Sequence, residues 1–182
     1  MEFAVVGWHP AGTDTGDGPR LRLDWQRFSY AGKFVMTNTG KAVLRAGDSG
    51  SGEFDESVLA AVAFNEDRTD NGVLWLRYVT VREDVRGEGL GPRLCDELAE
   101  RALARGHDRI RIAVNNPFAY EALYKAGFGF TGRTTGLAEL VLHRPADRQP
   151  AQYRAGLDQF AERDLTDAER SFLDERDGPP EQ

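Results

Sequence analysis

The sequence predicts an α/β chain, and three observations lead there. Short β-rich runs alternate with two strongly periodic helical segments between residues 58 and 131. A chain of 182 residues, 40% of them hydrophobic, can bury one substantial core without disulfides or metal. A glycine-rich turn at residues 86–91 joins an apolar strand to a helix, a junction typical of α/β units that bind anions.

The elements follow in order. Residues 3–8 (FAVVGW) read as a short strand, and AGTDTGDGP after it as a turn-rich loop. Arg20 to Leu23 is a second extended piece. It ends at Asp24, an N-cap for a helix over Trp25 to Met36, where Trp25, Phe28, Ala31 and Val35 have helical spacing. Asn38, Thr39 and Gly40 stop that helix, Lys41 to Ala46 is strand-like, and residues 47–56 form a polar loop. Val58–Phe64 and Val73–Val81 are strands joined by NEDRTDNG, whose Asn-Gly ending favours a turn. Val73–Val81 is apolar on both faces, as a central strand is. Leu90, Leu94, Leu98 and Ala102 recur every four residues, predicting a helix from Gly91 to Arg105 with Pro92 at its favoured first position.

Arg109–Val114 alternates as a strand should. Asn116 caps a helix from Pro117 to Ala126, with Lys125 in its last turn and Gly127 as its stop. Phe128–Thr131 and Leu137–His143 are two more strands. Beyond Pro145 the pattern is helical and acidic, and Thr166 with Glu169 is a capping-box signature for a helix over 167–176. Tyr153, Leu157, Phe160, Phe172 and Leu173 give this extension an apolar face, to dock on the domain or on a second subunit. The organisation is therefore a domain at residues 1–145 and an acidic, helical C-terminal extension at 146–182.

Composition removes several function classes. The net charge of −7, from 30 acids and 23 bases, argues against nucleic acid as the main partner. Ten acids against five arginines from residue 146 onward carry −5 of it, so the body is nearly neutral. Lysine occurs only at Lys33, Lys41 and Lys125, which fits salt adaptation or, equally, a GC-rich coding bias. The single cysteine, Cys95, excludes an intramolecular disulfide framework and a cysteine-built zinc site, and fits a reducing cytosol. No run of 18 apolar residues occurs, and the start, MEFAVVGWHP, lacks the features of a secretory signal. The expectation is a soluble cytoplasmic protein with no membrane partner.

The chemistry sits in V79-T-V-R-E-D-V-R-G-E-G-L-G-P-R-L94. Glycines at 87, 89 and 91 let the backbone turn several N–H groups toward one point. The following helix adds unpaired amides and its positive dipole end, worth about 0.3–1 kcal/mol per anionic charge. Such a turn suits a pyrophosphate. A P-loop would need Gly-Lys-Ser/Thr, and no Lys-Ser or Lys-Thr follows these glycines; Gly40–Lys41 is followed by Ala42. A dinucleotide-binding turn would need G-x-G-x-x-G, whereas the spacing is G-x-G-x-G, and the next strand ends Val114-Asn115-Asn116 without an acid.

Arg86-Gly87-Glu88-Gly89-Leu90-Gly91 instead resembles the Arg/Gln-x-x-Gly-x-Gly/Ala pyrophosphate loop of the GNAT-superfamily N-acetyltransferases. About 25 residues later, Asn-Pro and a helix ending A-L-Y-K-A-G-F resemble the family's Leu-Tyr-x-x-x-Gly-Phe, at Leu123, Tyr124, Gly127 and Phe128. The resemblance runs from about Val58 to Leu142. It implies a mixed, mostly antiparallel sheet with helices on both faces, in which the strands at 73–81 and 109–114 run parallel and splay apart. It implies acetyl-CoA as co-substrate, no metal, and transfer of the acetyl group to a small-molecule or peptide amine by direct attack.

The family's roles fall on particular residues. Main-chain groups of Val79, Thr80 and Val81 would pair with pantetheine, as in β-augmentation. The amides of Arg86, Gly87, Glu88, Gly89, Leu90 and Gly91 would cradle the pyrophosphate. Asn115 or Asn116 would reach the pantetheine arm, and Tyr124 holds the general-acid position. A leaving thiolate titrates near 8.5 and a tyrosine near 10, so a phenol can donate to the sulfur as charge develops.

Three departures stand out. Pro117 occupies the place of the usual asparagine, Pro92 has no N–H to offer, and residues 73–81 contain no glutamate to serve as base. Arg77 and Tyr78 stand there instead, and the base is left unassigned. Tyr30 and Trp75 are carried as acceptor-pocket residues, Cys95 as packing, and Tyr120 as packing or pocket lining. His9, His107 and His143 show no metal spacing. A non-catalytic acyl-CoA-binding module, dimerising through the C-terminal helices, is the alternative, and a nucleotide-binding oxidoreductase a more distant one.

Overall fold

The most apolar run of the sequence forms the middle of a sheet. In the computed structural model, which describes residues 1–8, 18–47, 52–176 and 178–180, strand Val58–Glu66 is buried at every position from Val58 to Phe64. Among the described residues there are seven strands and four α-helices, an α/β fold, arranged as two compact units, Met1–Asp108 and Arg109–Gln182. No helix among them is long and apolar enough to cross a membrane. Most of the turn-rich loop at 11–19, His9, and Asp48 of the polar loop lie outside the described residues.

In the first unit, β1 (Glu2–Gly7), β2 (Gly40–Arg45), β3 (Val58–Glu66) and β4 (Val73–Val81) pair antiparallel in that order. Helix α1 (Leu90–Ala104) packs on β2, β3 and β4 through Leu90, Leu94, Cys95, Leu98, Ala99 and Ala102, the predicted four-residue stripe. Because strand residues alternate faces, Val43, Ala61 and Ala63 point the other way. There they form a second core with Leu21, Leu23, Phe28, Ala31 and Phe34. The small alanines of β3 let the covering layer come close to the sheet.

That second layer corrects the expected helix over Trp25–Met36. Asp24 does start a turn, its carbonyl accepting from Arg27 and Phe28 and its carboxylate from Gln26. Tyr30 then takes a left-handed backbone conformation, φ 61°, and a short 3-10 turn follows at Ala31–Lys33. The buried residues, Phe28, Ala31 and Phe34, recur every three residues, the period of a 3-10 turn, whereas Trp25 and Val35 are exposed. Arg20–Leu23 runs extended outside the sheet, tied by Leu21 N to Phe34 O and by Asp55 N to Arg22 O. Lys41 pins the segment from beneath. Fully buried on β2, its ammonium donates to the carbonyls of Pro19 (2.5 Å), Thr39 (2.9 Å) and Met36.

In the second unit, β5 (Arg109–Val114) pairs antiparallel with β7 (Leu140–Arg144), which pairs antiparallel with β6 (Gly129–Thr134). Helix α2 (Pro117–Lys125) is capped by Asn116, whose Oδ1 accepts from Ala119 N at 2.9 Å, and Gly127 closes it with φ 94°. The extension is helical, as expected: α3 (Pro150–Ala161) packs on β6, and α4 (Asp167–Asp174) packs on α2 and α3 behind the full Thr166–Glu169 capping box. Tyr153, Leu157 and Phe160 are buried, and Phe172 meets Phe118 with ring centroids 4.7 Å apart. Glu121 of α2 receives both Arg176 (2.8 Å) and Lys125 (3.3 Å). These charge-assisted bonds tie the end of the extension to α2.

Candidate active site

Strand β4 carries a feature that the sequence did not announce. Ala63 of β3 opposes Tyr78 and the next residue, Phe64, opposes Leu76, so Arg77 is an extra, unmatched residue. Such a bulge bends a strand and re-aims its side chains. It stands two residues before Val79, which with Thr80 and Val81 is the stretch expected to offer its main chain to pantetheine. Thr80 is buried, its hydroxyl without a partner among the described residues, while Val79 and Val81 are half-buried.

Beyond β4, the chain makes one short turn at Glu83–Val85 and enters the glycine loop. Gly87 and Gly89 adopt φ 82° and 79°, which only glycine takes without strain, and a Cβ on either would meet nothing within 4 Å. The requirement there is conformational, not spatial. Gly89 caps α1 without a side-chain hydrogen bond, and the first turn contains no acid. Among the described residues no side chain caps the amides at this helix mouth, an arrangement that suits an anion. Pro92 contributes none. Arg86 is occupied locally, donating from Nε to Val81 O (3.3 Å) and from Nη2 to Ser29 Oγ (3.2 Å), so it braces the loop against β4 and the 21–36 layer.

The remaining expected residues belong to the second unit. Asn116 spends Oδ1 on the α2 cap and donates from Nδ2 to Asn115 Oδ1 at 3.2 Å, leaving Asn115 the more exposed of the two. Tyr124 is mostly buried, and its hydroxyl makes no hydrogen bond among the described residues. Its ring is gripped by the extension. The Arg148 guanidinium lies 3.9 Å from the ring centroid and donates to Tyr124 O at 2.5 Å, while the Tyr153 ring stands edge-on at 4.6 Å. Tyr120 is core: fully buried, it donates to Tyr153 O at 2.8 Å, and burial pushes its phenol well above the usual range.

Two of the cavities in the first unit bear on the acceptor. A shallow one of about 530 Å3 is lined by Trp25, Tyr30 and Met36 among others. A second, of about 340 Å3, opens beside the bulge between Lys33, Asn38, Asn65, Glu66, Arg77 and Tyr78. Trp75 lines neither; its Nε1 donates to Asp67 at 2.8 Å and Arg77 covers its ring at 4.9 Å. His107 is a structural link, bonded to Ala102 O (3.1 Å) and Glu66 (3.2 Å) and stacked on Trp8. Burial pulls the His143 imidazole down, helped by Arg109 and Arg111. Cys95 is buried under α1, and desolvation pushes its thiol up to about 12, so it is packing and no nucleophile.

Comparison with known proteins shows the family of the chain. The sequence model described as "Acetyltransferase (GNAT) family" matches residues 22–130, more than half of the chain. Three solved structures illustrate the likeness. Nourseothricin acetyltransferase is 23% identical, over 60% of this chain and 66% of its own, with a TM-score of 0.47. A GCN5-related N-acetyltransferase from Kribbella flavida is 24% identical, over 60% and 68%, at 0.46. A Bacillus subtilis acetyltransferase in complex with CoA is 16% identical, over 58% and 76%, at 0.47. No curated protein matches the sequence significantly.

Proposed function

The chain belongs to the GNAT acetyltransferase family, and on that premise we propose that it transfers the acetyl group of acetyl-CoA to a primary amine by direct attack. The observation that carries this reading is the mouth of α1: two left-handed glycines, no side-chain cap and no acid, directly after a bulged strand. In this reading the loop amides from Arg86 to Gly91 hold the pyrophosphate, while the main chain of Val79, Thr80 and Val81 holds pantetheine. Asn115 is the better candidate for the pantetheine arm, because Asn116 is committed to capping α2.

The acceptor nitrogen attacks the thioester carbon. The nitrogen attacks as the neutral amine. The new C–N bond forms as the C–S bond breaks, and the Tyr124 hydroxyl gives its proton to the departing sulfur, which leaves as the thiol. The proton shed by the nitrogen restores the phenol through solvent. A hydroxyl with no partner of its own, on a ring fixed by Arg148 and Tyr153, supports that assignment. Acetyl-CoA, an amine acceptor and one reduced cysteine fit a cytoplasmic setting.

Titration calorimetry with CoA, NADH and ATP tests the cofactor class, and thiol release from acetyl-CoA across an amine panel tests turnover. Tyr124→Phe is expected to lower turnover at least tenfold with CoA affinity near wild type. Tight NADH binding without CoA binding would end the reading. CoA binding without thiol release on any amine would favour the binding-module alternative.

A further inference from the structure

The cavity beside the β4 bulge carries information about the acceptor. Its walls hold three cations, Lys33, Arg68 and Arg77, against one carboxylate, Glu66, in a chain whose net charge is −7. Two of the cations are fixed in place. Asn65 Oδ1 accepts from Arg77 Nε at 2.7 Å while the guanidinium lies over Trp75, and Lys33 Nζ lies 5.4 Å from the centre of the Tyr78 ring. Asp67, beyond the wall, accepts from Trp75 Nε1, and its charge offsets part of that of Arg77. Glu66 is itself oriented: His107 takes Oε1, and no other hydrogen bond is made to this carboxylate among the described residues. Asn38 and Asn65 complete a lining rich in fixed polar groups, and about 340 Å3 is the lower end of small-molecule sites.

We propose that this cavity takes the acceptor, and that the acceptor is a carboxylate-bearing primary amine of amino-acid type. Its carboxylate lies between Lys33 and Arg77, where a guanidinium fork and an ammonium give charge-assisted bonds. Its ammonium faces the open oxygen of Glu66. Three cations against one carboxylate in the lining repel polyamines and other polycations, which have no carboxylate to repay the encounter. The inference rests on the acetyltransferase reading: Tyr78 and Arg77 immediately precede the main chain assigned to pantetheine, so the cavity opens where the thioester is expected.

The experiment measures thiol release from acetyl-CoA with lysine against cadaverine, tyrosine against tyramine, tryptophan against tryptamine, and histidine against histamine. CoA affinity is titrated in parallel. At least one amino acid should show a kcat/KM ten times or more that of its decarboxylated partner. Arg77→Gln and Lys33→Gln should each bring that ratio close to one while leaving CoA affinity unchanged. Lys33 is exposed on the short turn, so its variant keeps the test valid if Arg77→Gln unfolds the hairpin. Equal or better turnover of the amines, a ratio that survives both substitutions, or no turnover of any compound by a CoA-binding protein would each overturn the proposal. Loss of CoA binding in the wild-type protein would instead remove the acetyltransferase reading beneath it.

Discussion

Gly91 separates what the glycine loop does for folding from what it does for ligand. It lies in the first turn of α1, and a Cβ there would meet only Val81 Cγ2 at 3.5 Å and Val79 Cγ1 at 3.9 Å, ordinary contacts. Gly91→Ala therefore gains about 0.5–1 kcal/mol from helix propensity. Gly91→Glu keeps part of that gain and adds about 0.3–1 kcal/mol by placing a carboxylate at a helix N-terminus that has no acid. The same carboxylate repels a bound diphosphate. The two charges of the diphosphate, each at roughly 7 Å from the carboxylate, together cost about 1 kcal/mol in water and about 5 kcal/mol at an effective dielectric constant of 20. CoA affinity should fall by at least about tenfold, and less at high salt. Thermal denaturation and CoA calorimetry read the two effects: Gly91→Glu melts no lower than wild type yet binds CoA worse, and Gly91→Ala binds normally. A glutamate variant with unimpaired CoA affinity at low salt would refute the loop assignment. A lower melting temperature for the alanine variant would refute the packing argument.

Other predictions concern the supports of the site. A Cβ at Gly156 of α3 would collide with the Tyr120 phenol, at its oxygen and Cζ. Gly156→Ala should cost about 2–4 kcal/mol in urea unfolding, from overpacking and loss of the bond to Tyr153 O, and Tyr120→Phe should recover part of it. Burial, with Arg20 nearby, holds Lys41 down at about 8, below the 10.5 of an exposed lysine. The unfolded chain then binds the proton more tightly, so stability rises as pH climbs from about 8 toward 10. The full linkage is about 3 kcal/mol, reduced because a neutral amine has two N–H groups for three carbonyls; Lys41→Met should abolish the rise, and an unchanged slope would contradict it. Arg176→Ala leaves mostly buried Glu121 with Lys125 alone. Burial works against the Glu121 carboxylate, but Arg176 and Lys125 outweigh it and hold its pKa below the usual value. The variant should lose about 1–3 kcal/mol at neutral pH, and the loss should shrink as acid protonates Glu121.

What the sequence revealed follows from the range of the interactions. Val73–Val81 and Arg109–Val114 were legible to the residue because alternation and β-branched content are local, and so were the Asn116 cap and the Thr166–Glu169 box. The glycine loop was legible because its φ values demand glycine at fixed spacing. The 21–36 layer was misread because its shape answers to distant partners: Lys41 binding the Met36 carbonyl at its end and the flanking Pro19 and Thr39 carbonyls, and Phe34 sinking under β3. The bulge at Arg77 was invisible, since only the register with β3 reveals an extra residue. The cavity at Lys33, Glu66 and Arg77 escaped notice for the same reason, its walls coming from three separate stretches of chain.

Arg148 and Tyr153 lie beyond residue 130, where the match to the family model ends, yet they form two sides of the socket around Tyr124. A shortened protein stopping just after β7 would retain every motif residue and lose both groups that cover its tyrosine. With Tyr124 in its proposed role the tail belongs to the site, and moving this core into another scaffold would require residues through Phe160 to keep the phenol held.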